Sequence, residues 1–164
     1  MAFTFKVRDL FVPRIKILNE VGLKPGYKIL DYGCGSGSYI NTLANMIGNS
    51  GKIYALDINP LAIQMVQRIV AKNQLANVET ILSGCETGLP DESMDAVLLY
   101  DILHDLSDPD KIIKELHRVL KPDGILSVSD HHLEGEDIVS RMTNDGFFGL
   151  LKKDILTCSF VKTK

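Results

Sequence analysis

Asp31 stands two places before glycines at 33, 35 and 37, and Asp57 closes an apolar run twenty residues past the last of them. Glycines at alternate positions leave a turn without Cβ atoms, so a ligand can lie against the backbone and meet the N–H groups that open the following helix. A carboxylate at the tip of the next strand suits the two hydroxyls of a ribose. The competing role for Asp57 is to cap a helix, but Asn59, directly before Pro60, is better placed for that. A second group follows two later apolar runs: Tyr100, Asp101 and His104 after one, Asp130, His131 and His132 after the other. Such side chains act as general bases or as a polar substrate floor. Asp101 has a helix cap as its competing role, and His104 reads better as a packing residue between the ligand loop and the core. For Asp130-His131-His132 the structural and functional readings weigh equally. The spacing provides no metal-ligand pattern.

These residues need strands that end where they stand. Lys28-Ile29-Leu30 reads as a buried strand, and Ile40, Leu43, Ala44 and Ile47 share a helical face that stops at Gly48. A second strand covers 52–57, and Pro60 opens a helix with Ala62, Met65, Val66, Ile69 and Val70 on one face. Further strands are expected at 78–82, 95–100 and 124–129. Before the last of these, Pro109 opens a helix with Ile112, Ile113, Leu116, Val119 and Leu120 inward and with His117 and Arg118 as packing support. A first helix fits 12–22 and a last one 136–144, stopped by Gly146. Alternating strands and helices imply a parallel sheet covered on both faces. Residues 147–152 and 155–162 read as two strands joined only at Lys153-Asp154, a connection so short that it must be a hairpin.

Composition predicts one domain over 1–164. At 164 residues, 45% hydrophobic and 24% charged, the chain buries a single substantial core. Charge interrupts the apolar runs and the first residues lack a signal-like apolar stretch, so no membrane association is expected. Cys34, Cys85 and Cys158 are odd in number and far apart, which suits reduced thiols in a cytoplasmic protein. A net charge of −3 without a basic cluster argues against a nucleic-acid partner.

The run Asp31-Tyr32-Gly33-Cys34-Gly35-Ser36-Gly37 resembles motif I of the class I, Rossmann-like S-adenosylmethionine-dependent methyltransferases. A dinucleotide fingerprint needs glycine where Ser38 stands, and a dinucleotide domain continues with a crossover helix where the hairpin falls; both place an NAD-dependent oxidoreductase behind. Leu89-Pro90, Met94-Asp95-Ala96-Val97, Leu103-His104-Asp105-Leu106 and Leu120-Lys121-Pro122-Asp123-Gly124 are similar to the ubiquinone/menaquinone-biosynthesis subgroup. The resemblance runs from about residue 20 to the end. It implies an α/β fold: a Rossmann-like, doubly wound, mostly parallel sheet of seven strands ending in an antiparallel hairpin.

The same resemblance implies S-adenosyl-L-methionine as cofactor and in-line methyl transfer to a small-molecule acceptor. Asp31, Gly33, Cys34, Gly35, Gly37, Asp57, Ile58, Cys85, Glu86 and Tyr100 are the expected cofactor-binding residues, and Asp130 and His131 the expected catalytic ones. Related chains carry Gly-Asp-Ala after strand three, where the aspartate or its neighbour meets the adenine amino group. Here Gly84-Cys85-Glu86 leaves that role to Glu86 or to the Cys85 backbone. Strand four lacks the Asn/Asp-Pro-Pro-Tyr signature of enzymes that methylate nucleic-acid amino groups. Residues 1–20, with Phe3, Phe5 and Phe11 among Lys6, Arg8 and Arg14, are expected to cover the acceptor opposite Asp130, His131 and His132. The alternative is packing against the sheet edge or against a second copy in a homodimer. A non-catalytic cofactor-binding subunit of a larger assembly is the rival to an enzyme.

Overall fold

The structure, a computed structural model, describes residues 13–163. Helix α1 (Arg14–Val21) is entered through Pro13 and ended by Gly22, and it buries Ile17, Leu18 and Val21. Then follow β1 (Lys28–Tyr32), α2 (Ile40–Ile47), β2 (Lys52–Asp57), α3 (Pro60–Asn73), β3 (Val78–Leu82) and β4 (Met94–Tyr100). A 3₁₀ turn (Leu103–Asp105) precedes α4 (Pro109–Val119), β5 (Leu120–Ser129), α5 (Gly135–Thr143), β6 (Phe148–Lys153) and β7 (Cys158–Lys162). The strands lie in the order β3-β2-β1-β4-β5-β7-β6, parallel from β3 to β5, with β7 antiparallel to both its neighbours. β1 and β4 are adjacent, yet the chain leaves their carboxyl ends toward opposite sides of the sheet. Open α/β sheets bind ligands in the crevice at that reversal.

Successive strand residues feed two cores. Ile29, Ile53, Ala96 and Leu98 pack with residues of α1, α2 and α3. Leu30, Leu56, Val97 and Leu99 pack with residues of α4 and α5. Burial on both faces explains why the central strands read as continuous apolar runs.

Four expectations change. In α3 Ala62 and Val66 are buried and Ile69 and Val70 pack against the core as expected, but Met65 is 44% exposed and Ile63 is buried instead. β5 starts at Leu120, opposite Met94, and its next partner is Ile125 opposite Ala96. The expected Lys121–Gly124 turn is thus a bulge facing Asp95, whose carboxylate accepts from Lys28 N at 2.7 Å and Lys121 Nζ at 2.5 Å. The hairpin connection is longer than a two-residue turn and spans Asp154–Thr157. Glu20 of α1 braces it, accepting from Leu156 N at 3.1 Å and from the Thr157 hydroxyl at 3.0 Å. Finally, α1 begins at Arg14. The part of the expected cover over 1–12 lies outside the described residues. Among the described residues no helix is long and apolar enough to cross a membrane.

Candidate active site

β1 carries Asp31 to the crevice and hands the chain to the glycine loop. Gly33 N and Cys34 N donate to Leu56 O at 2.8 and 2.9 Å, and Gly35 N donates to Asp57 Oδ2 at 2.8 Å. These three N–H groups therefore fasten the loop to the end of β2 and do not face the open crevice. Space does: a Cβ built at Gly35 would meet nothing within 4 Å, whereas one at Gly37 would lie 2.9 Å from Val66 Cγ2. Gly35 keeps room for a ligand, and Gly37, at φ 77°, lets α3 close on the loop.

Two carboxylates flank that room. Asp31 is 2% exposed, and among the described residues its Oδ2 has no hydrogen-bond partner. Burial first, then the charge of Asp57, raise its carboxyl to about 7 against the opposing pull of Arg14. A buried carboxylate oxygen without a partner invites a cation. Asp57 is different: Asn59 N donates to Oδ1 at 2.8 Å and Gly35 N to Oδ2, which leaves each oxygen one lone pair. A vicinal diol fits those two sites. Asn59 is the cap of α3, accepting from Leu61 N at 2.9 Å.

The loop after β3 forms the next wall. Ile58 is 73% exposed, and a Cβ at Gly84 would lie 3.0 Å from its Cδ1, so Ile58 packs directly against the Gly84 backbone. Tyr32 donates its hydroxyl proton to Gly84 O at 3.2 Å. Cys85 N donates to Ser83 Oγ at 3.2 Å, and Glu86 is an exposed side chain 3.8 Å from Lys111 Nζ. The sequence missed what holds this loop. Glu115 of α4 accepts from Thr87 N and the Thr87 hydroxyl at 2.9 and 2.7 Å, and Arg118 ties Glu115, Leu89 O and Asp91 together. The Arg118 and Thr87 hydrogen bonds hold the Glu115 carboxyl down at about 2. Arg118 thus does more than pack its helix.

At the far wall Tyr100 is buried, with its hydroxyl 2.8 Å from Ser127 Oγ and its ring 5.1 Å from that of Tyr39. Arg14 lies over the Tyr39 ring at 4.5 Å, so α1 closes this side. Burial pushes the Tyr100 hydroxyl and the Cys34 thiol well up, keeping both neutral.

The carboxyl ends of β4 and β5 bring five polar side chains together. Asp130, whose side chain is fully buried, accepts from His104 N, His132 N and His104 Nδ1 at 3.0, 2.9 and 2.8 Å. The hydrogen bond from His104 and those from the two backbone N–H groups outweigh burial and hold its carboxyl below the ordinary range. Asp101 does not cap a helix. It sits at φ 58° and accepts from His131 N and Nδ1 at 3.2 and 2.8 Å. His132 lies between the other two imidazoles, with ring centroids 4.2 Å from His104 and 3.9 Å from His131. Asp101, Asp130 and His131 bring polar atoms within 4.8 Å of one another, but N–H donors already occupy both carboxylates. The expected pair Asp130 and His131 are neighbours here without being partners; each pairs across the sheet. His104 was readable as a packing residue, and only the adjacency of β4 and β5 reveals it as the partner of Asp130.

Residues 23–158 match the family described as "Methyltransferase domain". The chain belongs to the class I S-adenosylmethionine-dependent methyltransferases. A demethylmenaquinone methyltransferase of Lactobacillus johnsonii is 32% identical over 117 residues, covering 70% of this chain and 48% of that one. The methyltransferase domain described here spans about half the length of the curated relatives it matches. The crystal structure of a SAM dependent methyltransferase from Aquifex aeolicus is 30% identical, covers 95% of both chains and superposes with a TM-score of 0.81. The [4+2]-cyclase SpnF shares the fold, with a TM-score of 0.74 at 22% identity, over 85% of this chain and 58% of its own. The family uses S-adenosylmethionine, and the site's residues fit it. An ammonium group would fit the unpartnered oxygen of Asp31, and a ribose diol the lone pairs left on Asp57.

Proposed function

We propose that this chain transfers the methyl group of S-adenosylmethionine to a small-molecule acceptor seated over Asp101, His104, Asp130, His131 and His132. The observation that carries the reading is the buried Asp31 carboxylate, whose Oδ2 has no partner among the described residues, at the head of a loop left open at Gly35. When bound, the sulfonium supplies a methyl group already activated for displacement. The chain's own work is to hold the two partners in line and keep water away, which is where most of the acceleration in such reactions arises. Asp57 positions the ribose, while Ile58 and Gly84 flank the slot for the adenine. Relatives named for acting on demethylmenaquinone support a small acceptor in place of a macromolecule. Calorimetry with S-adenosylhomocysteine and with NAD tests the cofactor, and a metabolite screen with methyl-labelled S-adenosylmethionine tests the acceptor. Binding of S-adenosylhomocysteine together with label on a small molecule is expected; binding of NAD alone overturns the reading, and binding by neither ligand points to a non-catalytic subunit.

A further inference from the structure

We infer that His104, held by Asp130, is the base that takes the acceptor's proton, and that the acceptor is therefore an acidic hydroxyl of the phenolic or enolic type. The inference rests on the methyl-transfer reading above and adds to it the base and the acceptor class. Asp130 has no exposed side-chain surface and takes three N–H donors, one of them His104 Nδ1 at 2.8 Å. An ionised carboxylate can only accept, so the Nδ1 proton is His104's own and the neutral ring keeps its lone pair on Nε2. The His104 side chain is 30% exposed, so the ring is reachable from solvent while Asp130 holds its Nδ1. A buried carboxylate fixing the tautomer of a partly exposed imidazole is the arrangement that makes a histidine a proton acceptor and stabilises its cation. His131 repeats the device on Asp101 at 2.8 Å, with the two rings 6.1 Å apart and His132 between them. The left-handed backbone of Asp101, at φ 58°, is the unusual conformation that puts its carboxylate beneath His131.

A thiol is already partly ionised near neutral pH, and an amine can shed its proton to water before it binds, so neither calls for a base held in the site at the moment of transfer. A hydroxyl must lose its proton. A phenol near pKa 10 lies about 3.5 units above an ordinary imidazole near 6.5, within reach of a positioned base; an alcohol close to water's 15.7 lies about nine units above it. In the step, the acceptor's O–H bond breaks as His104 Nε2 takes the proton, and the oxygen's electron pair forms the new O–CH3 bond. The pair of the broken C–S bond stays on the sulfur of the thioether product, and the imidazolium, paired with Asp130, later gives its proton to water.

The test begins with a readout independent of turnover. Long-range 1H–15N NMR of the histidine-labelled full chain at pH 8 should show His104 protonated on Nδ1, and Asp130→Asn should move the proton to Nε2. An Nε2–H tautomer in the wild type overturns the assignment even if the variant fails to fold. So do ring signals of His104 that shift to saturation with one equivalent of Zn2+, which would make the residue a metal ligand. With methyl-labelled cofactor, catechol and benzylamine serve as probe acceptors. Label on a catechol oxygen that falls at least about 100-fold in His104→Ala, with S-adenosylhomocysteine affinity unchanged, supports the proposal. Label on benzylamine at the same rate in wild type and variant overturns it. Failure of the wild type to bind S-adenosylhomocysteine would instead strike the methyl-transfer reading, and the tautomer result is obtained without that ligand.

Discussion

Replacing Asp31 by asparagine should remove a stability loss that grows with pH and weaken the protein's hold on the cofactor. The carboxyl loses its proton near 3.8 when exposed and near 7 in the fold, chiefly because it is buried. Between those values the folded state binds more protons than the unfolded one, so wild-type stability falls as pH rises through the window and levels off above about 7. At 1.36 kcal/mol per pH unit, the distance from 3.8 to about 7 sets a ceiling of about 4 kcal/mol. Relaxation around a buried charge trims this to about 2 kcal/mol. The asparagine amide also needs partners, at a cost of about 1–3 kcal/mol, but that cost does not vary with pH. Calorimetric melting of both proteins should therefore show a Tm difference that moves in favour of Asp31→Asn by about 4–8 °C between pH 4 and pH 8, at 2–4 °C per kcal/mol. Titration with S-adenosylhomocysteine should show the converse. Wild-type affinity rises from pH 5 to 7 with proton release, and Asp31→Asn binds at least about tenfold more weakly at pH 8. A Tm difference that stays flat with pH would refute the reasoning, because it would mean that Asp31 is already ionised and paired without a ligand.

Asp57→Ala removes the acceptors for Gly35 N and for a ribose, and should weaken S-adenosylhomocysteine by roughly 1.5–3 kcal/mol, at least about tenfold, by calorimetry. Gly35→Val fills the open space in the loop; circular dichroism should show the helices and strands retained while S-adenosylhomocysteine binding disappears, apart from a moderate strain cost at φ 52°. Glu115→Ala unties Thr87 and Arg118 and should cost about 2–3 kcal/mol in urea unfolding. Because the Glu115 carboxyl is held down at about 2, its contribution is complete above its ordinary value of 4.5 and disappears as pH falls toward 2, so wild type and variant should converge in acid.

The architecture was legible because the central strands announce themselves by apolar runs closed by Asp31, Asp57 and Tyr100, and the helices by Pro60, Pro109, Gly48 and Gly146. Boundaries failed where tertiary pairing overrides local signals. Lys121-Pro122-Asp123-Gly124 has turn composition, yet β4 on one side stretches it into a bulged strand. Met65 shares the helical period of its neighbours, yet Ile63 is the residue buried beside Ala62 and Val66. In the candidate site, spacing put the glycine loop and Asp57 at the ends of neighbouring strands, where Gly35 N meets Asp57 Oδ2. The pairs His104–Asp130 and His131–Asp101 were not legible in this way, since each joins residues 26 or 30 positions apart that meet only when β4 and β5 lie side by side. The clamp of Glu115 and Arg118 on Thr87 was hidden for the same reason.

The reversal of strand order between β1 and β4 also separates two groups of residues. Asp31, the glycine loop, Asp57 and the clamped loop after β3 all hang from β1, β2 and β3, whereas every member of the imidazole cluster hangs from β4 or β5. On the proposed function the first half would keep the common reagent, its glycine loop fastened to the end of β2 by backbone hydrogen bonds, and the second would meet the variable partner with side chains on short connections. Segments 101–106 and 130–134 are thus exchangeable cassettes: recombining them among chains of this shape should change which molecule is accepted while the grip on the methyl donor persists. A shared scaffold that also serves a cyclase is what such a division permits.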